Sequence, residues 1–164
     1  MADLRVNLFG KQLAGPVIAA SGTFGFGPEY AGIEDLRVLG GISGKGLTLN
    51  GQPGNDGERL LETPSGLMNS IGLQNPGVAA FARESGPWLE QLSKDGCQVI
   101  CQVAGHSVEE FVRALEMYVE LCPWAAGYEI NVSCPNIAAG GAAMGSSPEG
   151  ASAVMAACRK VTDK

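Results

Sequence analysis

Apolar and polar residues alternate from Leu4 to Leu8, with Leu4, Val6 and Leu8 apolar and Arg5 and Asn7 polar, as in a half-buried strand. Lys11 to Leu13 is expected to pair with it as a short hairpin across Gly10. Pro16 to Ala20 is a continuous apolar run ended by Ser21-Gly22, which reads as a buried strand feeding a loop. A short helix is expected from about Pro28 to Leu36, then a glycine-weakened strand from Gly41 to Lys45. The segment from Gly46 to Asn75 is rich in turn residues and reads as a long excursion over the surface. Asn75-Pro76 is a helix start, with asparagine as cap and proline at the first helical position. Gly86-Pro87 breaks that helix, and a second piece covers Trp88 to Leu92. Gln98 to Ala104 is a buried strand. Ser107-Val108-Glu109-Glu110 is a capping box opening a helix whose apolar stripe is Val108, Phe111, Leu115, Tyr118, Val119 and Cys122. Pro123 stops it, Gly127 to Val132 is the next strand, and Ser133 to Ser146 its loop. Ser147-Pro148 starts a last, alanine-rich helix reaching about Val161.

Strands and helices alternate, so the expected class is α/β, with parallel strands joined by right-handed crossovers. The 164 residues read as one domain, 1–164. After the N-terminal β-hairpin come four βα units, the first half of a (βα)8 TIM barrel, since whole barrels run to about 250 residues. A small doubly wound sheet is the competing fold.

Composition narrows the partners. Charged residues are 17% of the chain against a usual ~25%, while glycine, at 24 residues, is about twice as common as usual and sits at the ends of apolar runs. Glycines so placed permit tight turns and close approach of backbone to a ligand. A formal net charge of −6 argues against nucleic acid as a partner. No apolar run nears the ~18 residues of a membrane span, and the N-terminus lacks the pattern of a signal peptide. Five scattered cysteines do not form a disulfide framework and fit a cytoplasmic protein. With one histidine and no second ligand pair after Cys97 and Cys101, no metal site is expected.

In a parallel α/β fold, ligands bind at the carboxyl ends of the strands. Four such ends carry unusual residues: Ala20-Ser21-Gly22; Gly44-Lys45-Gly46, with Asn69 to Leu73 in its long loop; Gln102 to Gly105; and Asn131 to Asn136. Lys45 is either a solvated strand end or a cation aimed at an anion or a flavin ring. It is not a P-loop lysine, because Leu39 stands where that motif needs glycine. Gly22, Gly25 and Gly27 make no dinucleotide fingerprint. Gln102, inside an apolar strand, is satisfied by the core or points at a ligand. Cys134 differs from the other cysteines: it follows a strand end in a small-residue loop, where an accessible thiolate can act as nucleophile or base. His106 is a poor partner for a cysteine-protease pair.

Asn131-Val132-Ser133-Cys134-Pro135-Asn136, after a strand carrying Glu129, resembles the catalytic loop of the class 1 dihydroorotate dehydrogenases. Asn69-Ser70-Ile71-Gly72-Leu73-Gln74-Asn75-Pro76-Gly77 resembles their substrate loop, and Ala20 to Gly27 and Gly41 to Gly46 resemble their first two strand ends. The pattern is closer to class 1B than to class 1A.

The resemblance implies the amino-terminal half of an FMN-binding TIM barrel that oxidises dihydroorotate to orotate in pyrimidine biosynthesis. It implies Cys134 as the base that takes a proton from substrate C5, with hydride passing from C6 to the flavin. Substrate would be held by Lys45, Asn69, Ser70, Ile71, Gly72, Leu73 and Asn131. FMN would be held by Ala20, Ser21, Lys45, Gly46, Gln102 and Asn131. It also implies a homodimer and an electron-transfer subunit that carries FAD and a 2Fe–2S cluster and passes electrons to NAD. Two departures stand out: Gln102 replaces a usual asparagine, and the chain stops before the strand expected to carry a further flavin lysine. The competing functions are a related pyrimidine-reducing flavoprotein, or an inactive half barrel that serves only in assembly.

Overall fold

The computed structural model describes residues 3–8, 10–32, 35–132 and 144–164. The hairpin is present as β1 (Val6–Leu8) and β2 (Lys11–Leu13), with Asn7 opposite Gln12. Next come β3 (Ile18–Ala19) and β4 (Gly41–Ser43). The helix expected between them is not formed among the described residues. In its place are two single 3-10 turns, Pro28–Tyr30 and Leu36–Val38, the second capped by the Asp35 side chain accepting from the Arg37 amide. Gly32 lies between them and opposes helix propagation.

The long excursion is not structureless. It contains a hairpin of β5 (Leu60–Thr63) and β6 (Gly66–Asn69), turned at Pro64-Ser65 and exposed along most of its length. The two helices that follow are α1 (Val78–Glu84) and α2 (Gly86–Lys94). Asn75 is not the cap of α1. That position is Gly77, at φ 82, and Asn75 instead reaches past Pro76 to accept from the Gly77 amide at 3.0 Å. Pro87 starts α2 rather than only ending α1.

Then come β7 (Gln98–Val103), α3 (Val108–Leu121), β8 (Gly127–Ile130) and α4 (Pro148–Cys158). Ser107 caps α3 as expected, accepting from the Glu110 amide at 3.2 Å. The return half of the box is displaced by one residue, since the Glu110 carboxylate takes the His106 amide at 2.8 Å. Ser147 caps α4 in the same way, through the Gly150 amide.

β3, β4, β7 and β8 form one parallel sheet in that order. β7 shows how the sheet separates two environments. Val99, Cys101 and Val103 point to the helices and pack with Phe81, Leu89, Phe111, Leu115 and Tyr118 in the main core. Gln98, Ile100 and Gln102 alternate onto the opposite face. The register carries that face across the sheet: Ser43 lies opposite Ile100, and Gln102 opposite Glu129. The expected stripe of α3 is the buried one at Phe111, Leu115 and Tyr118, all almost fully buried.

Four cysteines, Cys97, Cys101, Cys122 and Cys158, are free and buried, as small apolar side chains. Burial pushes the Cys97 thiol from 9.0 to about 11. Cys101 is raised by its hydrogen bond with Cys122 and then by burial. A folded pKa above the unfolded one favours the folded state below the unfolded pKa, and that contribution is lost as pH climbs toward the folded value. The melting temperature is therefore expected to fall between about pH 9 and pH 11. Thermal melts of Cys97→Ala across that range should show a shallower fall, and an unchanged slope would remove Cys97 as a cause.

Candidate functional site

The carboxyl ends of the four parallel strands gather a knot of polar side chains around Glu129 of β8. Ser43 Oγ donates to Glu129 Oε2 at 2.7 Å and Ser21 Oγ to Oε1 at 3.2 Å. Gln102 Nε2 also donates to Glu129 Oε1, and to Ser21 Oγ at 2.6 Å. Gln102 Oε1 accepts from Asn131 Nδ2 at 3.2 Å. A buried amide needs partners, and Gln102, 5% exposed, finds them in this knot rather than in the core. Sequence reasoning expected Ser21, Gln102 and Asn131 here and missed Ser43 and the central place of Glu129. The signal for Glu129 was its parity with Gln102 along neighbouring strands.

The β4–β7 ladder is interrupted where Lys45 stands. Ser43 pairs with Ile100 and Leu47 with Val103, so the chain from Ser43 to Leu47 is one residue longer than the stretch it faces. An extra residue in one strand bends it and re-aims a side chain. Half-buried Lys45 lines a groove with Phe26, Gln52, Gln74 and Asn75, and it has no hydrogen-bond partner among the described residues. Gly46 is pressed against Gln102 Oε1, and a Cβ there would collide with that oxygen. Ala20 is exposed at the end of β3, its carbonyl taking the Thr23 hydroxyl at 2.8 Å.

The Asn69 to Leu73 loop is held by the arm that precedes it. Asn55 Nδ2 donates to Ser70 Oγ at 2.8 Å, the Asn55 amide to the Ile71 carbonyl at 3.2 Å, and Gln52 Nε2 to the Gly72 carbonyl at 2.7 Å. Asn75 Nδ2 donates to the Leu73 carbonyl at 2.9 Å. Leu73 has φ 52, unusual for a side chain of its size, and packs on Ala104. A left-handed residue of this kind costs about 1–3 kcal/mol and persists where its surroundings over-determine it. Asn69 and Ser70 are exposed, Gly72 and Leu73 buried. Gln52 and Asn75, which fix this loop, are further residues that sequence reasoning did not place in the site. Cys134 and its loop, 133–143, lie outside the described residues.

A parallel sheet covered by helices, with amides, hydroxyls and a lysine that has no hydrogen-bond partner among the described residues at its carboxyl edge, defines a domain of the barrel and doubly wound α/β class, in which ligands bind at that edge. The chain belongs to the dihydroorotate dehydrogenase family, whose model matches residues 3–164. It is 43% identical over 162 residues to the dihydroorotate dehydrogenase B (NAD(+)) catalytic subunit of Pelobacter propionicus, covering 99% of this chain and 52% of that one. Against the subunit of the same name from Petrotoga mobilis it is 44% identical over 164 residues, covering 100% of this chain and 53% of the relative. The chain thus spans about half the length of these curated relatives. A crystal structure of DHODH from Eimeria tenella, in complex with ferulenol, shares the fold with a TM-score of 0.71 at 18% identity, over 96% of this chain and 43% of that one.

Proposed function

We propose that this chain, residues 1–164, is the amino-terminal half of a (βα)8 barrel, contributing its first four βα units, and that the whole protein oxidises dihydroorotate to orotate. The sequential parallel order β3, β4, β7, β8 supports an arc of such a barrel. The joining of Ser21, Gln102 and Asn131 at one sheet edge is the observation that carries the functional reading.

The residues present fit FMN as the cofactor. The Gly44-Lys45-Gly46 strand end lets backbone come close to a flat ring, Lys45 lines a groove and has no hydrogen-bond partner among the described residues, and Ser21 and Asn131, which do not line that groove, supply polar groups at the same sheet edge. FMN when bound accepts the hydride that leaves substrate C6. Ala20, Ser21, Lys45, Gly46, Gln102 and Asn131 would hold it. Lys45, Asn69, Ser70, Ile71, Gly72, Leu73 and Asn131 would hold the substrate. The preset Leu73 turn makes this loop ready for its ligand and reduces the ordering cost of binding. Cys134 would take the proton from C5 as the C5–C6 double bond forms.

The relatives are named catalytic subunits of an NAD(+) enzyme. This supports a separate electron-transfer subunit as the route to NAD; its FAD and 2Fe–2S, and a homodimer of the catalytic chain, are proposed from the family resemblance alone. Among the described residues no helix is long and apolar enough to cross a membrane. The free buried thiols are in keeping with the cytoplasm.

The test is to load the protein with FMN, remove free flavin, add dihydroorotate without oxygen and follow the visible absorbance. Bleaching of the flavin is expected. Retained flavin that does not bleach would overturn the substrate and favour another pyrimidine, and failure to retain flavin in the full-length protein would overturn the cofactor.

A further inference from the structure

We propose that Glu129 is a positioning residue of the ligand site, setting through Gln102 the direction in which the Asn131 amide faces its ligand. The inference rests on the function just proposed for Asn131. Its basis is the one-way chemistry of a carboxylate. An ionised carboxylate only accepts hydrogen bonds, whereas an amide has a donating end and an accepting end. Glu129 collects Ser43 Oγ at 2.7 Å, Ser21 Oγ at 3.2 Å and Gln102 Nε2. Gln102 must therefore turn its NH2 toward Glu129, and its Oε1 is left facing the other way, toward Gly46 and Asn131. An oxygen in that place accepts, so Asn131 presents its NH2 to Gln102 at 3.2 Å. The direction of one amide fixes that of the next, and Glu129 fixes the first.

A glutamine at position 129 would have the same shape and lack the decision. Its amide can sit either way round, presenting oxygen or NH2 to Gln102, so Gln102 can reverse and Asn131 can reverse with it. The same residue also ties four strands together, because Ser21 follows β3, Ser43 ends β4, Gln102 lies in β7 and Glu129 in β8. A purely structural tie would lower stability when removed but would leave the orientation of Asn131 alone. Amide orientation is therefore the discriminating readout.

The experiment uses the flavin-loaded protein with 15N-labelled asparagine, the Asn131 side-chain NH2 resonances being identified by their loss in Asn131→Ser. In Glu129→Gln this pair is expected to move or split in two, and orotate, titrated against the flavin spectrum, is expected to bind about tenfold more weakly, the cost of roughly one misplaced hydrogen bond. Glu129→Asp, still acceptor-only, should keep a single Asn131 pair. Should Glu129→Gln fail to fold, Gln102→Met removes the relay and must move the same pair. An Asn131 pair left in place, or moved with no loss of orotate affinity, overturns the proposal. Wild-type protein that holds flavin but ignores orotate would sink the substrate reading alone, and the amide resonances would then decide the role of Glu129.

Discussion

Cys134→Ala is expected to slow anaerobic reduction of the flavin by dihydroorotate by about 10²–10⁴-fold, the usual contribution of a positioned proton acceptor, while flavin content stays at the wild-type level. None of the four described thiols can substitute. Cys97, Cys101 and Cys158 are buried with raised pKa values, and Cys122 is fully buried behind the sheet. His106, the lone imidazole, is exposed and engaged with Gln52 Oε1 at 3.2 Å, on the arm that holds the loop. Cys134→Ser should show a remaining rate that climbs with pH, because a hydroxyl gives up its proton far less readily than a thiol. Stopped-flow reduction of the variants checks both points. Undiminished flavin reduction in Cys134→Ala would place the base elsewhere.

Asn75→Ala is expected to be the most damaging substitution of a polar side chain outside the knot. Asn75 is 7% exposed, and its Oδ1 accepts from the Thr48 amide at 3.1 Å and the Gly77 amide at 3.0 Å. Its Nδ2 donates to the Leu73 carbonyl at 2.9 Å. Alanine strands all three backbone groups. At about 1–3 kcal/mol for each buried group left unsatisfied, and with water reaching some of them, the loss should be about 3–5 kcal/mol. For a chain of this size that lowers the melting temperature by roughly 6–20 °C. Orotate binding should weaken as well, since Leu73 loses a restraint on its left-handed turn. Asn75→Asp retains the acceptor for Thr48 and Gly77 but sets a carboxylate against the Leu73 carbonyl. It is therefore expected to recover part of the stability and little of the affinity. Melting curves and orotate titrations of the two variants separate these effects, and an unshifted melt in Asn75→Ala would refute the account.

Much of this was legible in the chain before its structure. β7 and α3 announce themselves because each has one buried side, so that apolar residues recur with the period of the element, and Ser107 and Ser147 mark helix starts by bonding to the amide three residues on. The β5–β6 hairpin was not legible, because it stands away from the core with nearly every residue exposed and has no period to betray it. The stretch from Pro28 to Leu36 carried a helix-like start, and its described residues form 3-10 turns with no buried stripe to continue a helix. Asn75 looked like a cap because it precedes proline; the cap position lies two residues further along, at Gly77, whose amide donates to the Asn75 side chain. At the site, polar residues closing apolar strands were easily seen. Glu129 was noticed only as an acid in an apolar strand, because its importance comes from partners 27, 86 and 108 residues away.

Gly46 and Gln102 share a single space. Glutamine is longer than asparagine by one methylene, and its terminal oxygen lies where a side chain at position 46 would begin. The two residues form an exchangeable volume: a shorter amide at 102 makes room for a larger residue at 46, and with the longer amide a side chain at 46 must displace it. An asparagine engineered at 102 should therefore offset the loss of stability from Gly46→Ser, which alone would displace the amide.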